Sequence, residues 1–155
     1  MLVYVDTSVF GGVFDEEFAE ASRAFFNQVQ SGRFDVLVSS VVLDELLDAP
    51  EQVRRFYASL GSRVTVAELS EAALELVRHY IAAGIVGERW RADAQHVAVA
   101  AVRGCRAIVS WNFRHIVHFE KIPLYNGVNI ICGFAPLAIH TPQEMVHYED
   151  KNQDF

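Results

Sequence analysis

The stretch Leu2-Val3-Tyr4-Val5-Asp6-Thr7-Ser8 decides the fold. Four apolar or β-branched residues, closed at once by three polar ones, read as a short buried strand that stops at a loop. A carboxylate directly after such a strand stands at the rim of a sheet. Working outward, Gly11-Gly12 is expected to break the backbone. Phe18, Ala21, Phe25 and Val29 then follow helical spacing from Asp15 or Glu16 to about Gln30, with Gly32 as the stop. Phe34 to Val38 gives a second strand. Ser39 and Ser40 are N-cap candidates for a helix carrying Val42, Leu43, Leu46 and Leu47, closed by Pro50. Glu51 to Leu60 reads as a helix ended by Gly61, and Val64-Thr65-Val66 as a third strand. Ser70 caps a further helix with Ala73, Val77, Tyr80 and Ile81, stopping at Gly84.

The most regular helical pattern begins near Asp93. Ala94, Val97, Ala98, Ala101, Val102 and Cys105 fall on one face. Ala107-Ile108-Val109-Ser110 follows as a strand, and Val128 to Cys132 is expected to form the last one. Pro136 to Phe155 is polar, with a short helix start at Thr141-Pro142-Gln143-Glu144. Strands alternating with helices predict an α/β fold: a short, mostly parallel central sheet flanked by helices on both faces. In such sheets ligands bind beyond the carboxyl ends of the strands. That rule directs attention to Asp6 and to Ser110-Trp111-Asn112.

The chain has 155 residues, the size of one domain, and 52% hydrophobic residues, enough for a real core. No apolar run reaches membrane-spanning length, so a cytoplasmic protein with no membrane partner is expected. Cys105 and Cys132 are isolated and read as reduced thiols. The net charge of −7 argues against a surface that attracts nucleic acid everywhere, but a local basic stripe is compatible with it. Arginine outnumbers lysine eleven to two, and Arg89, Arg91, Arg103, Arg106 and Arg114 cluster in one stretch. The planar guanidinium suits phosphate; solvated surface arginines explain each one equally well.

Every candidate has a structural explanation beside the chemical one. Asp6 serves a turn as readily as a cation. Glu45 lies in an apolar helix beside Asp44 and Asp48, where acids usually mark a solvated face. Asp93 opens its helix, where the dipole favours an acid in any case. His96, three residues on, points to the same side. His115 and His118 form a lone His-x-x-His, a weak metal signal. No Walker loop, nucleophile elbow, His-Glu-x-x-His or Cys-x-x-Cys occurs, so nucleotide-driven motors, serine hydrolases and zincins lose support.

The separate signals converge in a family resemblance. Asp6-Thr7-Ser8 resembles the opening motif of PIN domains. Ser39-Ser40-Val41-Val42-Leu43-Asp44-Glu45-Leu46 resembles their second, Asp93-Ala94-Gln95-His96-Val97-Ala98-Val99-Ala100 their third, and Ser110-Trp111-Asn112-Phe113-Arg114-His115 their fourth. The match runs in order over residues 1–134 and leaves 135–155 as an extension without an assigned role. The resemblance implies a metal-dependent endoribonuclease using Mg²⁺ or Mn²⁺. Asp6, Glu45 and Asp93 would be its ligands, with Asn112 completing the catalytic set where many members carry Asp. Thr7, Ser8, Arg91 and Arg114 are the substrate-binding candidates. Small members resemble the toxin of toxin–antitoxin pairs (VapC-type), which implies RNA as substrate, a cognate antitoxin protein and a homodimer. Asn112 keeps an alternative open: a catalytically degenerate RNA- or protein-binding module of the same fold.

Overall fold

Strand β1 (Leu2–Val5) lies in the middle of the sheet, and its Val3, Tyr4 and Val5 are fully buried. The computed structural model describes residues 1–147. Around β1 stand β2 (Asp35–Ser39), β3 (Val64–Ala67), β4 (Ala107–Val109) and β5 (Ala138–His140), in the order β3-β2-β1-β4-β5. Every neighbouring pair is parallel. Parallel pairing forces crossover connections, which the helices supply: α1 (Thr7–Gly12), α2 (Ala19–Gln30), α3 (Ser40–Leu46), α4 (Glu51–Ser59), α5 (Glu71–Ala82), α6 (Arg91–Val102) and α7 (Lys121–Ile131); α8 (Pro142–His147) follows β5. The α/β reading of the sequence is observed.

The chain steps from β1 outward to β2 and β3, then returns to the other side of β1 for β4 and β5. Right-handed crossovers therefore put α1, α2 and α4 on one face and α5, α6 and α7 on the other. The order of strands reverses between β1 and β4, which opens a crevice at their carboxyl ends. Asp6 follows β1 and Ser110 follows β4, so both reach that crevice.

Serine caps set the starts of two helices. Ser39 caps α3 by accepting the Val41 N–H at 3.2 Å, and Ser70 caps α5 by accepting the Ala73 N–H at 3.2 Å. The single-face reading of the helix after Asp93 is too narrow. In α6, Ala94, Val97, Ala98 and Ala101 are buried, but so are His96, Val99 and Ala100. This helix packs on the sheet, on α5 and on α3, so nearly every side is covered.

The expected strand at Val128–Cys132 is instead the end of helix α7 and its C-cap. The β-branched run suggested a buried strand, yet Ile130 and Ile131 are exposed while Tyr125 and Asn129, four apart, face the interior. Asn129 accepts a hydrogen bond from the buried Tyr80 hydroxyl, and that tertiary contact outweighs β-propensity. The fifth strand is Ala138–His140, within the stretch read as a polar extension. Asn126 of α7 fixes its entry by accepting the Leu137 N–H at 2.7 Å and donating to the Leu137 carbonyl at 2.9 Å. Helix α8 begins where the Thr141-Pro142 start was expected and packs against α2.

Gly11 and Gly12 do not break the backbone; they form the last residues of α1. Gly12 is demanded by a close approach, since a Cβ there would stand 2.6 Å from Ser22 Oγ and 2.9 Å from Trp111 Nε1. Those two atoms are hydrogen-bonded to each other at 2.8 Å, tying α2 to the loop after β4. Gly12→Ala is expected to lower stability by about 1–3 kcal/mol, read as a lower urea midpoint. Gly11→Ala, with nothing within 4 Å of the new methyl, should leave the midpoint unchanged or raise it.

Candidate active site

Asp6 is the residue after β1, and only 3% of it is exposed. A carboxylate so placed requires donors, and two serines supply them. Ser8 Oγ donates to Oδ1 at 2.5 Å and Ser110 Oγ donates to Oδ2 at 2.5 Å. Each serine is itself held, because Ser8 Oγ accepts the Trp111 N–H and Ser110 Oγ accepts the Asn112 N–H, both at 2.9 Å. The ends of β1 and β4 are thus laced together through one carboxylate.

Glu45, in α3, is reached by two donors on a single oxygen. Thr7 Oγ1 donates to Oε1 at 2.9 Å, and His96 Nε2 lies 2.6 Å from the same atom. Oε2 takes part in no hydrogen bond among the described residues, and the side chain is 38% exposed. Asp93, the third residue of α6, is half-buried, and the nearby Asn112 side chain pulls its pKa down. The side-chain oxygen of Asn112 accepts the Arg114 N–H at 3.2 Å and the His115 N–H at 2.9 Å, so this residue turns the loop.

Electrostatics separates the three acids. Burial pushes the Asp6 carboxyl above the ordinary carboxylate range, against the pull of His96, Ser110 and Ser8. Asp93 is raised for the same reason, against Asn112 and the two histidines. Burial also acts on Glu45, but the hydrogen bond and electrostatic pull of His96 and the Thr7 hydroxyl outweigh it and lower its pKa. Among the described residues, neither Asp6 nor Asp93 is ion-paired with an arginine or lysine.

The remaining candidates divide. Thr7 and Ser8 stand at the centre, each holding an acid. Arg91 is bound to Glu88 through its Nε and Nη2, at 2.7–3.0 Å. Arg114 lies on the face of Trp90, 4.7 Å from the ring centroid. Trp90 also packs against His115, whose Nδ1 stands 3.1 Å from Lys121 Nζ. An ammonium at that distance is at odds with a metal pair formed by His115 and His118. Among the described residues, no group of three or more His, Cys, Asp or Glu forms a ready metal cage. The donor set still fits a hard cation. It is built of oxygens, and two of its carboxylates are raised by burial without a basic partner, a deficit that a divalent ion makes good.

Sequence reasoning missed Tyr4 and Ser39 as members of the site, and reached Ser110 only as part of the segment after β4. One signal was available: a tyrosine inside an apolar strand brings a hydroxyl that must find a partner.

The fold and the site together define an α/β protein with an acidic centre at a topological switch point. The PIN domain family model matches residues 3–118, and the chain belongs to that family. No curated protein matches it. Among solved structures, it is similar to DNA-bound VapBC from Salmonella typhimurium, with 24% identity, TM-score 0.60, and 92% of this chain and 99% of that one covered. VapBC2 from Rickettsia felis, bound to a promoter DNA fragment, gives 16% identity, TM-score 0.59, and coverage of 91% and 98%. VapC20 from Mycobacterium tuberculosis, a toxin that cleaves the sarcin-ricin loop, gives 15% identity, TM-score 0.54, and coverage of 87% and 98%. No helix among the described residues is long and apolar enough to cross a membrane.

The opposite shifts carry opposite signs for stability. Asp6 and Asp93 hold their protons more tightly when folded, so they oppose folding increasingly as pH rises from the unfolded carboxylate value through their folded ones. Glu45 stabilises above its unfolded value and loses that contribution as pH falls through its lowered pKa. A ¹³C titration of the carboxyl carbons without added metal should show Asp6 and Asp93 protonating at higher pH than exposed acids, and Glu45 at lower pH.

Proposed function

We propose that the chain is a divalent-cation-dependent endoribonuclease and the toxin of a toxin–antitoxin pair. One observation carries the reading: Asp6, buried at the β1/β4 switch point, and the half-buried Asp93 of α6 both have raised pKa values, and among the described residues neither is ion-paired with an arginine or lysine. Its toxin assignment is supported by the likeness to VapBC and VapC structures. Asp6 and Asp93 would hold Mg²⁺ or Mn²⁺, oxygen-preferring ions, with Glu45 beside them. When bound, such an ion lowers the pKa of a coordinated water and neutralises charge on a phosphoryl oxygen.

The residues of the chain divide the remaining work. Glu45 presents Oε2 to the attacking water, orients it and takes its proton. Thr7 and His96 keep the other oxygen occupied. Ser8 and Ser110 hold Asp6, and Asn112 stands beside Asp93. Attack on the RNA phosphodiester then leaves a 5′-phosphate and a 3′-hydroxyl. Arg114, stacked on Trp90 beside the site, steadies the RNA backbone, and Arg91 would do so only by releasing Glu88. The proposed partners are RNA, a small cognate antitoxin and a second copy of the chain, in the cytoplasm.

Labelled structured RNA with Mn²⁺ or Mg²⁺ is expected to be cleaved by wild type and spared with EDTA. Glu45→Gln should lower the rate by about 10²- to 10⁴-fold, and Asp6→Asn and Asp93→Asn should abolish detectable cleavage. Mn²⁺ should raise the melting temperature of wild type but not of the two Asp variants. A protein that neither cuts RNA nor gains stability from Mn²⁺ is a binding module, and the nuclease reading is then wrong.

A further inference from the structure

A buried histidine stands between Glu45 and the middle of the sheet. His96 is 2% exposed, and Tyr4 and Ser39 are fully buried. Beyond the 2.6 Å contact of His96 Nε2 with Glu45 Oε1, His96 Nδ1 lies 2.7 Å from Tyr4 Oη. Tyr4 Oη in turn lies 2.7 Å from Ser39 Oγ, which accepts the Val41 N–H at 3.2 Å. One chain of contacts thus joins the cap of α3, the central strand, the central helix and the exposed acid.

Counting hydrogens sets its direction. A carboxylate only accepts, so His96 presents Nε2–H to Glu45. Ser39 Oγ already accepts from Val41, and Tyr4 Oη is the one described acceptor within reach of its own hydrogen. Tyr4 then donates to His96 Nδ1, which must carry a lone pair. The reverse direction, Nδ1–H to Tyr4 and Tyr4 to Ser39, leaves the buried Ser39 hydrogen without an acceptor among the described residues. Only one arrangement satisfies every group, and it holds His96 in a single tautomer.

That tautomer has a consequence for the acid. Thr7 and His96 both meet Glu45 at Oε1, so the carboxylate is pinned by one oxygen and open at the other. We propose that the Ser39–Tyr4–His96 hydrogen-bond chain fixes the Glu45 carboxylate so that Oε2 alone addresses the attacking water, making Tyr4 and His96 positioning residues. The proposal rests on the nuclease reading for its effect on rate, but not for the hydrogen bonds themselves. Both side chains are buried.

Two measurements on the full chain separate those parts. In ¹⁵N-histidine NMR without metal, wild-type His96 should show one protonated nitrogen at Nε2 and an unprotonated Nδ1. Tyr4→Phe, with its amide spectrum otherwise preserved, should keep Nε2 protonated, because Glu45 still accepts from it, and should move the Nδ1 resonance toward that of a lone pair without a donor. An Nδ1–H tautomer or a mixture in wild type overturns the chain, and so does an unmoved Nδ1 resonance in Tyr4→Phe. The wild-type spectrum decides the point even where the variant does not fold. In RNA cleavage with Mn²⁺, Tyr4→Phe should lower kcat about 10- to 100-fold with KM unchanged. His96→Gln, which keeps an N–H toward Glu45, should recover part of the activity lost in His96→Leu. Unaltered kcat in Tyr4→Phe, or Gln no better than Leu, overturns the positioning role. Absence of cleavage by wild type itself defeats the nuclease reading, and the tautomer still decides the chain.

Discussion

The burial of one carboxylate at the end of the central strand organises this molecule. Asp6 has almost no access to water, so it is stable only where donors meet both of its oxygens. Ser8 comes from the start of α1 and Ser110 from the end of β4. The loop after β4 is in turn held to those serines by its own N–H groups. The crevice between β1 and β4 is therefore a closed hydrogen-bonded frame, not a gap left by topology.

The acids around that frame are tuned in different directions by similar means. Burial raises Asp6 and Asp93, and hydrogen bonds only partly oppose it. Glu45 stands closer to solvent and receives both a hydroxyl and an imidazole on one oxygen, so its anion is favoured. The result is two carboxylates in need of positive charge beside one that is already comfortable as an anion. This asymmetry separates two acids that burial disfavours as anions from one that its hydrogen bonds keep ionised.

Much of this was legible in the sequence, and the parts that were not share a cause. Asp6 and Asn112 were named from their places after strands, Glu45 and Asp93 from the family resemblance of their motifs, and four strands were found from short apolar runs. Strand β5 was missed because three residues at a sheet edge carry too little pattern. Helix α7 was misread because Val128-Asn129-Ile130-Ile131 has strand composition, and only the Tyr80–Asn129 contact shows which side of it faces inward. Arg91 was proposed for substrate from its charge, while its partner Glu88, three residues earlier, already engages it.

By itself the sequence determined the alternating plan, because apolar periodicity and caps are local properties that each segment carries alone. It also determined which acids sit at strand ends and helix starts. Only the tertiary structure decided that Tyr4, Ser39 and His96 stand behind Glu45. Those residues are up to 92 positions apart and come together only through the packing of α6 over the central strands. Hydrogen-bond partnership depends on distances of a few ångströms between side chains, and no spacing along the chain encodes that when the contact crosses elements.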